Sequence, residues 1–148
     1  MEPELVVLGI ATRGTEDAIQ VCLDRLDELG LLRDPVAARR ALLEREAAHT
    51  TALGGGVAVP HATLAGLERP LLVLGIAPAG IAFGPAGVDP VHVVFLLLSP
   101  PSWTGRHIKL LARIARLVRH PGFVRRLAAG PSAEAVLEEV GSVDAEHV

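Results

Sequence analysis

The run Val91-His-Val-Val-Phe-Leu-Leu-Leu98 limits what this chain can fold into more than any other stretch. A strand with one wetted face alternates apolar and polar side chains. This run does not alternate, so both of its faces must be covered. Ser99-Pro-Pro101 ends it. Two helical patterns precede the run and three follow it. The chain therefore reads as an α/β sandwich rather than as a repeat of strand–helix units.

Other strands are shorter or less clear. Leu5–Ile10 and Leu71–Ala77 are apolar runs of strand length, and Val57-Ala58-Val59 is a short extended segment. Pro78–Gly87 is rich in glycine and proline and reads as loop, with room for a short edge strand. The first helix has Thr15 as its cap, acids in the first turn, and an apolar stripe of Ile19, Cys22, Leu23, Leu26 and Leu29 before Gly30. Asp34-Pro35 caps and opens the second, expected to bury Val36, Leu42 and Leu43 up to about Ala47. A third runs from Trp103 to His120 with Ile108, Leu111, Ala112, Ala115 and Val118 as its stripe, broadened by Leu110, Ile114 and Leu117. Pro121 opens a short fourth, and the last starts at Ser132 and stops at Gly141.

Composition narrows the function classes. Of 148 residues half are hydrophobic, which excludes a disordered chain. With three Phe, one Trp and no Tyr, aromatic platforms for stacking bases or sugars are nearly absent. The net charge of −3 argues against a general nucleic-acid binder. The single cysteine, Cys22, permits no internal disulfide and no metal cluster, and on its apolar stripe it reads as core. No apolar run approaches the length of a membrane helix, so a cytoplasmic protein is expected. No linker divides the chain, and residues 1–148 read as one domain.

Chemistry concentrates in Thr51-Ala-Leu-Gly-Gly-Gly-Val-Ala-Val-Pro-His61. Pro60 fixes its own φ and biases Val59 to an extended conformation, so His61 leaves a stiff strand end. An imidazole held that way suits nucleophilic or acid–base work, or is simply a satisfied strand-end histidine. His107 opens the third helix directly after the Val91–Leu98 strand, where α/β folds bind ligands and helix N-termini favour anions. The remaining histidines read as structural (His92), solvated (His49), helix-terminal (His120) or in the tail (His147). Arg45 offers a fork to phosphate oxygens, or is a surface charge between Glu44 and Glu46. A metal-dependent hydrolase on His61 and His107 lacks a convincing third ligand. There is no nucleophile elbow, phosphate loop or dinucleotide fingerprint. What remains is transient phosphorylation of a histidine, with a second imidazole and a guanidinium answering the charge.

The residues Leu43-Glu-Arg-Glu46, Thr51 and Gly54-Gly-Gly-Val-Ala-Val-Pro-His-Ala62, followed by Pro100 and His107-Ile108, resemble the mannitol/fructose-type IIA domain of the bacterial phosphotransferase system. That class includes the nitrogen-regulatory IIA proteins. The 46 positions from His61 to His107 fit its usual spacing. The resemblance spans roughly residues 14–140, is weakest in the first dozen residues, and meets a triple glycine where the family usually has a pair with an intervening residue. It implies a three-layer-like α/β sandwich with a mixed five-stranded sheet flanked by helices. It further implies that His61 carries the phosphoryl group on Nε2, that His107 assists it, and that Arg45 is the arginine beside it. The implied donor is HPr or its nitrogen-branch counterpart. The implied acceptor is a IIB-domain cysteine in sugar uptake; in a regulatory version, phosphorylation controls binding to a kinase, transporter or transcription regulator. No metal or organic cofactor is implied, and no oligomeric state follows.

Protein–protein transfer needs a partly apolar collar around the nucleophile. Pro78–Gly87 and Trp103 are the expected collar, Trp103 as an interface anchor or as a plug over the helix start. The basic face Arg106, Lys109, Arg113 and Arg116 reads as a solvated helix face or as a surface for an acidic partner.

Overall fold

The computed structural model describes residues 2–85 and 89–145. Among these residues six strands form one mixed sheet: β1 Val6–Val7, β2 Ala52–Gly54, β3 Val57–Ala58, β4 His61–Thr63, β5 Leu71–Ile81 and β6 Val91–Ser99. The α-helices among them are α1 Thr15–Glu28, α2 Pro35–Ala48, α3 Thr104–Val118, α4 Phe123–Ala128 and α5 Ala133–Ala145. The order across the sheet is β1-β5-β6-β3-β2, with β4 also paired to β6.

β6 is the axis, as its sequence requires. Val94, Leu96 and Leu98 pack with Ala18, Ile19, Cys22 and Leu26 of α1 and with Ala38 and Leu42 of α2. Val93 and Phe95 face the other way, against Ile114, Leu117, Phe123, Leu127, Val136 and Val143 of α3, α4 and α5. Alternate residues of one strand thus enter two separate cores, which is why no polar alternation exists. Cys22 lies fully buried, and burial pushes its thiol up to about 12, so it is inert at neutral pH.

The expected five strands are six for one reason. β3 and β4 run parallel to the same edge of β6, Val57 opposite Val93 and His61 opposite Leu97. Between them Pro60 has no N–H to donate to the ladder, although its carbonyl accepts from the Leu97 N–H at 2.9 Å. One path along the edge is therefore cut into two short strands.

Several local expectations are corrected. β1 is shorter than Leu5–Ile10, because Gly9 turns out at φ 67°; Ile10 still donates to the Ile76 carbonyl at 2.9 Å. Gly14, not Thr15, is the cap of α1, and the Thr15 hydroxyl accepts instead from the Gly84 N–H at 3.0 Å. Asp34 caps α2 as expected, accepting from the Ala37 N–H at 3.0 Å. Val36, however, is 67% exposed, because the face that packs is set by Ala38 and Leu42.

Pro78–Ile81 is strand rather than loop. Ile76 pairs with Val93 and Ile81 with Val91, so β5 spends extra residues there in a bulge. The bulge accommodates both Pro78 and Gly80, the latter at φ 85°. The end of the expected loop lies outside the described residues. On α3, Ile108 and Ala112 face solvent; His107, Ile114 and Leu117 are the buried positions. α5 continues through Gly141 because Val143, one turn from Val140, still has core to bury against.

Candidate active site

Alternation along the β3–β4 path aims His61. Val57 and Val59 enter the core beneath α3, and Ala58 enters the opposite one. The period of two carries through Pro60, leaving His61 on the α3 side while Ala62 packs against the α1–α2 core. The parallel register with Leu97 puts His61 at the carboxyl end of β6. The chain then leaves β6 through a short 3₁₀ turn, Pro101–Trp103, and enters α3, bringing His107 back over the same strand end. The two rings meet with centroids 5.4 Å apart and planes tilted by 52°.

Each ring is oriented by its Nδ1. His61 Nδ1 lies 2.7 Å from the Val59 carbonyl oxygen. A carbonyl only accepts, so Nδ1 carries the proton and Nε2 keeps its lone pair. His61 is half-buried. His107 is 8% exposed, and its Nδ1 lies 2.7 Å from the hydroxyl of Ser99, itself fully buried. If that hydroxyl donates, His107 carries its proton on Nε2. Burial first, and the neighbouring His61 second, hold the His107 imidazole below the ordinary histidine value, favouring the neutral ring.

Arg45 stands in the last turn of α2, in the layer across the sheet from α3. Its Nη1 donates to the His49 carbonyl at 2.8 Å, and among the described residues no hydrogen bond links it to either imidazole. The sequence-expected trio is thus brought together as two imidazoles, with the guanidinium occupied at its own helix end. Its neighbour Glu46 accepts both the backbone N–H, at 3.0 Å, and the hydroxyl of the buried Thr51.

Sequence reasoning misses Ser99, which it reads as a strand terminator. The available signal is a hydroxyl at the last position of a buried strand, eight residues before His107. The other histidines sit apart: His92 Nδ1 donates to the Ala77 carbonyl at 3.1 Å, His49 ends α2, His120 follows α3, and His147 lies outside the described residues. Among the described residues no group of three or more His, Cys, Asp or Glu is arranged to hold a metal ion. No helix among them is long and apolar enough to cross a membrane.

The surroundings of the pair also depart from expectation. Ile81 pairs with Val91, at the opposite end of β6 from Leu97 and His61, so Pro78–Ile81 is no collar for this site, and the end of the expected Pro78–Gly87 collar lies outside the described residues. Trp103 is at the correct end, with the Arg106 guanidinium 4.4 Å above its ring. Ile108, next to His107, is 61% exposed. Arg113 is engaged with Asp144 rather than free on the basic face.

The chain is thus an α/β sandwich with two facing imidazoles at the carboxyl end of β6, one of them with its Nδ1 on a backbone carbonyl. The chain belongs to the family described as "Phosphoenolpyruvate-dependent sugar phosphotransferase system, EIIA 2", whose profile matches residues 1–142. It is 35% identical over 134 residues to the nitrogen regulatory protein of Bradyrhizobium diazoefficiens, covering 90% of this chain and 87% of that one. It is 27% identical over 139 residues to the fructose-specific EIIABC component of Bacillus subtilis, covering 94% of this chain but only 22% of that protein's length. Among solved structures it is similar to the complex of enzyme IIAMtl and phosphorylated enzyme IIBMtl from Escherichia coli, with a TM-score of 0.80, 25% identity, and coverage of 96% of this chain and 97% of that one.

Proposed function

We propose that this chain is a phosphocarrier that takes a phosphoryl group on His61 Nε2 from HPr or its nitrogen-branch counterpart and passes it to the cysteine of a IIB domain. The observation that carries this reading is the Nδ1–H bond from His61 to the Val59 carbonyl, at 2.7 Å. It leaves Nε2 as the nucleophile without any proton transfer. The Nε2 lone pair forms the new N–P bond, the bond from phosphorus to the donor breaks, and the donor leaves with that electron pair. The imidazole ring becomes cationic, and the Val59 carbonyl stabilises it through the same Nδ1–H. His107 supplies an N–H to the phosphoryl oxygens, and Arg45 exchanges the His49 carbonyl for them, because a charged acceptor outcompetes a neutral one.

The test is incubation of the purified chain with phosphoenolpyruvate, enzyme I and each phosphocarrier in turn. One phosphoryl group per chain is expected, labile in acid as phosphohistidine is, and absent from His61→Gln. A wild-type chain left unmodified by every donor would sink the reading.

A second reading, favoured by the 35% identity to a nitrogen regulatory protein, is a regulatory IIA whose phosphorylation state controls binding to a kinase, transporter or transcription regulator. The two part at the next step. Phosphate that chases from His61 to a IIB cysteine supports transport; phosphate that stays while affinity for a target changes supports regulation.

A further inference from the structure

We infer that Glu46 and Thr51 are positioning residues that hold His61 in its nucleophilic tautomer from the far side of the β2–β3 turn. The inference rests on His61 being the phosphoryl acceptor. Four groups form one continuous chain of hydrogen bonds. The Glu46 carboxylate, at the end of α2, accepts the Thr51 N–H at 3.0 Å and the Thr51 hydroxyl. The Thr51 carbonyl accepts the Val59 N–H at 3.1 Å. The Val59 carbonyl accepts the His61 Nδ1–H at 2.7 Å.

Val59 therefore has both of its polar backbone groups committed, one to Thr51 and one to the imidazole. Its carbonyl has little freedom to rotate away, since Pro60 restricts it from the other side. Thr51 is only 5% exposed, so its hydroxyl and N–H depend on Glu46 for satisfaction. Between Thr51 and Val59 the chain passes through Gly54, Gly55 and Gly56, all at positive φ. A turn of three glycines supplies little rigidity of its own. The carboxylate clamp at one end and the proline at the other supply it instead. Without the clamp the Val59 carbonyl is looser, and His61 is free to place its proton on Nε2, which blocks attack at that nitrogen.

The experiment compares the ¹⁵N-labelled wild-type chain with Thr51→Val, Glu46→Gln and Thr51→Ser. The tautomer is read from the two ring-nitrogen shifts of His61, and the rate of phosphoryl uptake from a phosphorylated HPr-type donor is measured in parallel. Thr51→Val removes the hydroxyl at nearly constant volume, and Glu46→Gln leaves one acceptor oxygen for two donors. Both are expected to shift His61 from a pure Nδ1–H form to a tautomer mixture and to slow uptake about tenfold or more. Thr51→Ser keeps the hydroxyl and is expected to restore both. Wild-type tautomer and wild-type rate in folded Thr51→Val and Glu46→Gln would overturn the inference. Should Thr51→Val not fold, Glu46→Gln at the helix end decides between the two outcomes. The tautomer is read without any donor. A wild-type chain that takes no phosphoryl group therefore removes the proposed function, while the tautomer shift still decides the clamp.

Discussion

The imidazoles of His61 and His107 stand 5.4 Å apart, centroid to centroid, although they lie 46 positions apart in the chain. β6 makes the meeting: one ring comes from the strand paired to its carboxyl end, the other from the helix that follows it. Because one ring is half-buried and the other nearly sealed, they are chemically unequal. His61 is the more accessible of the two, as the proposed nucleophile must be, and His107 is the more buried.

That inequality predicts the kinetics of single variants. His61→Ala should abolish phosphoryl uptake, with a small change in thermal stability because the ring is half-open. His107→Ala should leave the acceptor in place and lower the rate by about a hundredfold to a thousandfold, the usual cost of losing one donor to developing charge. Steady-state transfer with the two variants checks both, and equal losses would contradict the division of labour.

The depressed His107 value predicts a pH dependence with a definite sign. The unfolded chain binds a proton at about 6.5, whereas the folded chain resists it. Between the lowered folded value and about 6.5 the unfolded state holds more protons, so stability rises with pH. The contribution is complete above about 6.5 and erodes as the pH falls below it. Urea unfolding at several pH values should show this slope, and His107→Gln should lack it. Phosphorylation of His61 should then raise the His107 value, since a negatively charged phosphoryl group is added beside it, and an NMR titration of both forms reads the shift.

Ser99→Ala should cost about 1–3 kcal/mol, because it leaves the Nδ1 of a buried imidazole without its partner. It should also slow uptake through a loosened His107 ring rather than through docking. The expected pattern is a lower kcat with an unchanged KM for the donor. A wild-type rate at full occupancy would show that the hydroxyl only fills space.

How much of this is legible in the sequence depends on how local the cause is. The two-faced burial of Val91–Leu98 and the Asp34–Pro35 helix start follow from neighbours in sequence, and they stand, whereas His61 opens a further strand, β4, instead of leaving a strand end, because its pairing with β6 is not local. The pairing of His107 with Ser99 spans a turn whose path no local rule gives. Pro78–Ile81 misleads for the converse reason: proline and glycine mark loops unless a partner strand absorbs them in a bulge, and that partner is β6. On α3 the apolar pattern puts the stripe one position off at Ile108, because counting apolar residues alone leaves out a histidine that takes a core position.

That displaced isoleucine yields the last prediction. Ile108 adjoins His107, is 61% exposed, and has no place in either core. A donor protein that reaches His61 must cover this flank, and an exposed aliphatic side chain beside a reacting centre is suited to the apolar part of such a contact. Val36 is a matched control: it is 67% exposed, equally apolar, and stands nine residues before Arg45, about 14 Å along the axis of α2. Ile108→Asp should raise the KM for the phosphorylated donor about tenfold with the folded state and the His61 tautomer unchanged. Val36→Asp should do neither. Chemical phosphorylation by a small donor such as phosphoramidate needs no docking, so it should proceed at the wild-type rate in both variants. If Ile108→Asp slows that reaction as well, the residue acts on the imidazoles and not on the partner.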